Sequence, residues 1–72
     1  MEYVIETRHL GEFTFPAHAV EDLDVSEDGV LWVHHHENPY GGEGFAPTTW
    51  TRWYLRDREG AVLEETKNDT QA

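Results

Sequence analysis

The stretch WVHHHENPYGGEGF, residues 32–45, holds the side chains with the most evident capacity for chemistry. On a β-strand His34 and His36 would share one face, and two imidazoles spaced in this way can chelate one metal ion. Strong zinc motifs contain two closely spaced ligand pairs, whereas this chain has no second pair and no cysteine. We therefore predict the polar end of a strand and no cofactor. A metal site at His34 and His36 and a pH-sensitive contact are the alternatives.

The acidic residues form the second candidate site. The chain has 15 acidic and 5 basic residues and a net charge of −10, and residues 1–45 hold ten of the acids with Arg8 as their single base. Such a field repels nucleic acid and anionic membranes and attracts basic protein surfaces. The alternative is that the charge serves solubility or salt adaptation.

Within this half, the run EDLDVSED concentrates carboxylates over residues 21–28. On a strand entering a turn, alternate carboxylates face solvent and can replace the phosphates of a nucleic-acid backbone by accepting charge-assisted hydrogen bonds from arginines. An ordinary solvated face is the alternative. The predicted partner-binding residues are Glu21, Asp22, Asp24, Glu27 and Asp28.

The third candidate is the segment TTWTRWYLRD, residues 48–57. Strand alternation would put Trp50, Arg52, Tyr54 and Arg56 on one face, and Trp, Tyr and Arg are the residues that dominate interface hot spots. We predict a partner contact or a homodimer contact here. The alternative is a face covered by the glycine-rich loop, with the arginines stacking on neighbouring rings. Two arginines in so acidic a chain are a poor platform for direct nucleic-acid binding.

The function predicted from these features is non-enzymatic. The chain has no nucleophile elbow, paired metal motif or phosphate-binding glycine loop, and GGEG at residues 41–44 does not begin a helix. By size and charge alone, the chain is analogous to small acidic inhibitors that viruses of bacteria direct against host nucleic-acid-binding proteins. We predict a binding protein that occludes a basic protein surface, as a nucleic-acid mimic or stoichiometric inhibitor would. A metal-binding module and a self-associating accessory subunit are the alternatives.

Two glycine-ended tetrapeptides, at residues 26–29 and 57–60, indicate how these candidates are positioned. Each separates two β-prone runs, and Gly29 and Gly60 can adopt the left-handed conformation that closes a hairpin with a bulge. The runs at residues 3–9 and 12–15 predict a further strand pair. Pro16 suits a first helical position, so residues 16–22 are predicted to hold either a short helical turn or continuous strand. The proline- and glycine-rich residues 38–47 predict a loop.

The predicted fold is all-β, a small antiparallel sheet or barrel of about five strands. Nine aromatic residues in 72 indicate a folded chain, with residues 1–66 as one compact domain and residues 67–72 as a frayed polar tail. No apolar run is long enough to span a membrane and no signal-peptide charge begins the chain, so we expect a cytoplasmic protein with no membrane contact. The predicted core consists of Ile5, Leu23, Val25, Leu31, Val33, Trp53 and Leu55 with Phe13 or Phe15.

Overall fold

The computed structural model describes residues 1–37 and 42–68, and the fold is all-β, as predicted. Within these residues the only helical segment is one 3₁₀ turn, Ala17–Ala19, which falls in the predicted region. No helix in the two described ranges is long and apolar enough to cross a membrane. The strands are β1 (Glu2–Thr7), β2 (Glu12–Pro16), β3 (Val20–Val25), β4 (Leu31–His35), β5 (Gly42–Phe45), β6 (Trp50–Arg56) and β7 (Val62–Lys67).

The strands form two antiparallel sheets. Sheet A has the order β2-β1-β6-β7 and sheet B the order β3-β4-β5. The described residues thus form seven strands in two sheets, where about five strands in one sheet or barrel were predicted. The strand without a strand-like sequence is β5, which lies inside the predicted loop 38–47 and pairs with β4. Its glycines disfavour a strand, but pairing satisfies its backbone and buries Phe45, and such tertiary context overrides local propensity. Residues 38–41 of the predicted loop lie outside the described residues.

The core lies between the two sheets. Sheet A and sheet B contribute the buried residues Ile5, Trp50, Trp53, Val20, Leu31, Val33 and Phe45. Across the interface the ring of Phe13 meets that of Phe45 edge-on, with centroids 5.2 Å apart. Most predicted core residues are buried or packed against this cluster, but Val25 is 39% exposed. Val25 ends an edge strand, so a neighbouring strand covers it on one side only.

A β-bulge changes which side chains of β6 face the core. Glu6 of β1 lies opposite Arg52, but the next residue, Thr7, lies opposite Trp50, so β6 has one extra residue at Thr51. Trp50 consequently turns inward beside Trp53 and is 1% exposed. The prediction that Trp50 shares an exposed face with Arg52 is therefore wrong, because strict alternation does not hold across a bulge.

Both predicted hairpins are present, and each has its glycine in the left-handed region. The φ angles are 87° at Gly29 and 91° at Gly60. In the first turn the Ser26 hydroxyl oxygen accepts a hydrogen bond from the Val30 amide at 3.1 Å. In the second, one carboxylate oxygen of Asp57 accepts hydrogen bonds from the amides two and four residues on, at 2.9 Å each. The first turn residue thus caps its own turn in both hairpins.

The strand pairing extends past the predicted start of the tail. β7 includes Lys67, and the side-chain amide of Asn68 donates hydrogen bonds of 2.7 Å to the carbonyls of Pro47 and Trp50. The boundary predicted after residue 66 is therefore at least two residues too early. Residues 69–72 lie outside the described residues.

Candidate partner-binding face

Edge strand β3 and the turn that follows it position the predicted acidic residues. Asp22 and Asp24 alternate with Leu23, which packs against the core, so their carboxylates face solvent. Glu21 lies at a register shift between Val20 and Asp22. All five predicted acidic residues, Glu21, Asp22, Asp24, Glu27 and Asp28, are exposed.

These acids continue into a wider surface on sheet B. Asp22 lies opposite His34 on β4, and Asp24 lies opposite Trp32. On the other side of β4, Gly42 and Gly44 of β5 lie opposite His34 and Trp32. We call the surface formed by Asp22, Asp24, Trp32, His34, Gly42 and Gly44 the outer face of sheet B. It combines two carboxylates and an exposed indole with two glycines, so β5 contributes no side chain to this face.

Trp32 leans across this face towards β5. A Cβ atom at Gly44 would lie 2.9 Å from Cζ3 of the indole and 3.2 Å from two further ring atoms. The ring therefore occupies the space that any side chain at Gly44 would need. Trp32 is 39% exposed, in contrast to the buried Trp50 and Trp53.

Arg52 and Arg56 are engaged on the other sheet. Arg52 contacts Glu6 at 3.2 Å and Glu65 at 2.7 Å, and Arg56 contacts Glu2 at 2.6 Å. All of these residues lie on sheet A. Within residues 1–37 and 42–68, no ion pair joins the five acids of β3 and its turn to a lysine or arginine. The negative charge of sheet A is thus partly balanced internally, and that of β3 is not.

The remaining residues of the third candidate site share one face of sheet A, as predicted, and contact glutamates of the same sheet and one another. The guanidinium carbon of Arg52 lies 4.2 Å from the centroid of the Tyr54 ring, and Tyr54 is only 7% exposed. Its cross-strand neighbour Val4 is fully buried. This arrangement matches the predicted alternative of arginines stacking on neighbouring rings, although the glycine-rich β5 belongs to sheet B and does not cover it.

The two arginines have raised pKa values. For Arg52, partial burial acts to lower the pKa, but the nearby Glu6 carboxylate, Tyr54 and Glu65 more than offset it. For Arg56, the hydrogen bond to Glu2 raises the pKa, with partial burial opposing it. Both guanidinium groups remain charged across the whole accessible pH range.

The histidine tract is the polar end of β4, as predicted. His34 faces solvent on sheet B, and His36 follows the strand with its amide donating to the Ala19 carbonyl at 3.1 Å. His35 turns inward, with its ring centroid 5.4 Å from that of Phe15 and its Nε2 3.3 Å from a Glu43 carboxylate oxygen. The part of the chain that the structure describes contains no group of three or more His, Asp or Glu side chains placed to hold a metal ion.

Sequence reasoning did not single out Trp32. The available signal was its position between Leu31 and Val33, two apolar residues that alternation directs into the core, which leaves the indole on the solvent side. The indole packs on the strand Gly42–Phe45, and the glycines of that segment predicted a loop instead of a strand. A contact between Trp32 and Gly44 therefore could not be inferred from the sequence.

Comparisons of the chain with protein-family models, with curated proteins and with solved structures found no match. The function must therefore be argued from the residues themselves.

Proposed function

We propose that this chain is a non-enzymatic binding protein that presents β3 and the adjoining turn to a basic surface of a partner protein and occludes it. The partner would be a nucleic-acid-binding protein, and the chain would act as a nucleic-acid mimic or stoichiometric inhibitor. The main support for the proposal is the set of exposed carboxylates on β3 and its turn. Among the described residues, no arginine or lysine forms an ion pair with these carboxylates.

The distribution of charge supports a directional field. The net charge is −10, and the arginines of sheet A pair with Glu2, Glu6 and Glu65 on their own sheet. The uncompensated charge is therefore weighted towards sheet B. Such a field accelerates encounter with a positively charged surface and orients the complex.

The arrangement of the carboxylates also suits a surface that binds phosphates. Asp22 and Asp24 are two residues apart on one face of a strand, a separation of about 6.8 Å. Arginines that hold phosphate groups can donate charge-assisted hydrogen bonds to carboxylates as well. Two carboxylates in line on one exposed face can therefore meet neighbouring arginines of such a surface.

The test is capture from a lysate of the source cells on the immobilised chain, followed by elution with duplex DNA and with rising salt. We expect captured proteins that DNA releases, and we expect Asp22→Asn/Asp24→Asn to lose them. Glu59→Gln/Glu64→Gln is the matched control, because it removes the same charge from exposed positions at the β6–β7 hairpin. Capture that resists DNA and salt, or that both double variants reduce equally, would refute the proposal.

A further inference from the structure

We infer that Trp32 is the anchor residue of the outer face of sheet B and stacks against an arginine side chain of the partner protein. Asp22 and Asp24 bind the partner segment that contains this arginine. This inference rests on the proposed function and specifies its partner chemistry. The ligand of this face is an arginine-rich segment of a protein.

The burial of the tryptophans supports a role for Trp32 outside the core. The indoles of Trp50 and Trp53 are 1% and 7% exposed and belong to the core cluster, whereas Trp32 is 39% exposed on the solvent side of the central strand of sheet B. The core is closed without it. Tryptophan is one of the residues enriched in the hot spots of protein interfaces.

The strand beside Trp32 leaves that surface open. At Gly44 a Cβ would collide with the indole, and at Gly42 it would lie 2.7 Å from the carbonyl oxygen of Val33. Packing thus excludes a side chain at both positions. Next to the indole, this side of β5 therefore consists of backbone only. A partner segment can approach the indole from the β5 side without meeting a side chain at either position.

The chemistry of the face selects a guanidinium group. An indole face attracts a cation placed over it, and a planar guanidinium can stack on the ring while its N–H groups donate to a carboxylate. Asp24 lies directly opposite Trp32, and such cross-strand neighbours have Cβ atoms about 4.5–5.5 Å apart. One arginine can therefore contact both the ring and the carboxylate, which an ammonium group does less well.

Charge complementarity decides the occupant. Nucleic acid and anionic lipid headgroups carry the same sign of charge as Asp22 and Asp24 and are repelled. A second copy of the chain would bring an equally acidic face, and its Arg52 and Arg56 are engaged by glutamates of sheet A. An arginine-rich protein segment supplies the opposite charge and the stacking group together.

The experiment measures binding of labelled nona-arginine and nona-lysine peptides to the full chain at low salt. We expect Trp32→Ala to weaken arginine-peptide binding about three- to tenfold, and lysine-peptide binding less. Trp32→Phe keeps an aromatic face and should retain most of the affinity. The control Leu63→Ala removes another exposed apolar side chain, 53% exposed on β7, and should leave both affinities unchanged.

A second readout locates the contact. In a titration with the arginine peptide, the indole N–H resonance of Trp32 should shift and those of Trp50 and Trp53 should stay in place. Unchanged affinity in Trp32→Ala, or an unmoved Trp32 resonance, contradicts the role of Trp32 as the anchor residue. If Asp22→Asn/Asp24→Asn still weakens binding in that case, the carboxylates of β3 bind the partner without Trp32. If neither that variant nor salt has an effect, the proposed function fails too.

Discussion

Individual polar contacts join sheet A to the turns and connections of sheet B. The indole N–H of Trp50 donates a buried hydrogen bond of 2.9 Å to the carbonyl of Gly29, which joins sheet A to the turn that carries Glu27 and Asp28. Asn68, directly after β7, donates to the carbonyls of Pro47 and Trp50 and so joins β7 to the connection between β5 and β6. In a chain of 72 residues with a small core, such single contacts form a large share of the stability.

Replacement of Trp50 by phenylalanine tests the first of these contacts. Trp50→Phe removes the donor, leaves the Gly29 carbonyl without its partner and shrinks a fully buried side chain. We expect the free energy of unfolding to fall by about 2–4 kcal/mol in urea titrations. Trp32→Phe is the control, and its effect should stay within about 0.5 kcal/mol because Trp32 is outside the core. Equal effects of the two substitutions would contradict the assignment of Trp50 to the core.

Replacement of Asn68 tests the second contact. Asn68→Ala removes the amide that bridges the carbonyls of Pro47 and Trp50, and we expect a loss of about 1–2 kcal/mol in the free energy of unfolding. Asn68→Asp should cost more, since it places a carboxylate against two carbonyl oxygens. Lys67→Ala, at the preceding exposed residue, serves as the control in the same denaturation series. A chain that tolerates Asn68→Asp as well as Lys67→Ala would show that the bridge contributes nothing.

At the scale of the elements, local chemistry was predictable and long-range pairing was not. The hairpins at Gly29 and Gly60 follow from turn residues that are adjacent in the sequence, and the exposure of Asp22 and Asp24 follows from alternation with Leu23. The bulge that turns Trp50 inward depends on the register between β1 and β6, which are distant in sequence. The strand β5 depends on β4 as a template, so its own glycine-rich sequence predicts a loop.

A substitution at Gly44 tests the packing of the Trp32 indole on β5. Gly44→Ala would place a methyl group 2.9 Å from the Trp32 ring, so the indole has to move off β5. We expect greater quenching of Trp32 fluorescence by acrylamide and a shifted indole N–H resonance. The control Gly60→Ala meets no atom within 4 Å but strains a residue with φ of 91°. It should lower stability by about 1 kcal/mol and leave Trp32 unaffected. An unchanged Trp32 environment in Gly44→Ala would disprove the packing of the indole on β5.

At the scale of the whole molecule, two electrostatic effects oppose each other. The ion pairs of Arg52 and Arg56 on sheet A attract, whereas the acids of β3 and its turn repel one another within a chain of net charge −10. The amino-acid sequence alone predicts the total charge and its concentration in residues 1–45. The segregation of pairing on sheet A from repulsion on sheet B required the structure, because it depends on which strands are neighbours.

Salt distinguishes these two effects, since it screens attraction and repulsion alike. Surface ion pairs individually contribute little, and a net charge far from zero destabilises the compact state through self-repulsion. We therefore expect the melting temperature to rise between about 20 and about 200 mM NaCl, a range over which the screening length falls from above about 20 Å to below about 8 Å.

Asp22→Asn/Asp24→Asn should raise the melting temperature at low salt and reduce the gain on adding salt, because it removes two of the mutually repelling charges. Glu59→Gln/Glu64→Gln should do so less, since those carboxylates belong to the sheet that carries the arginines. If salt instead lowers the melting temperature, the paired sheet A dominates the electrostatics, and the acids of β3 do not generate the field on which recognition of a basic partner depends.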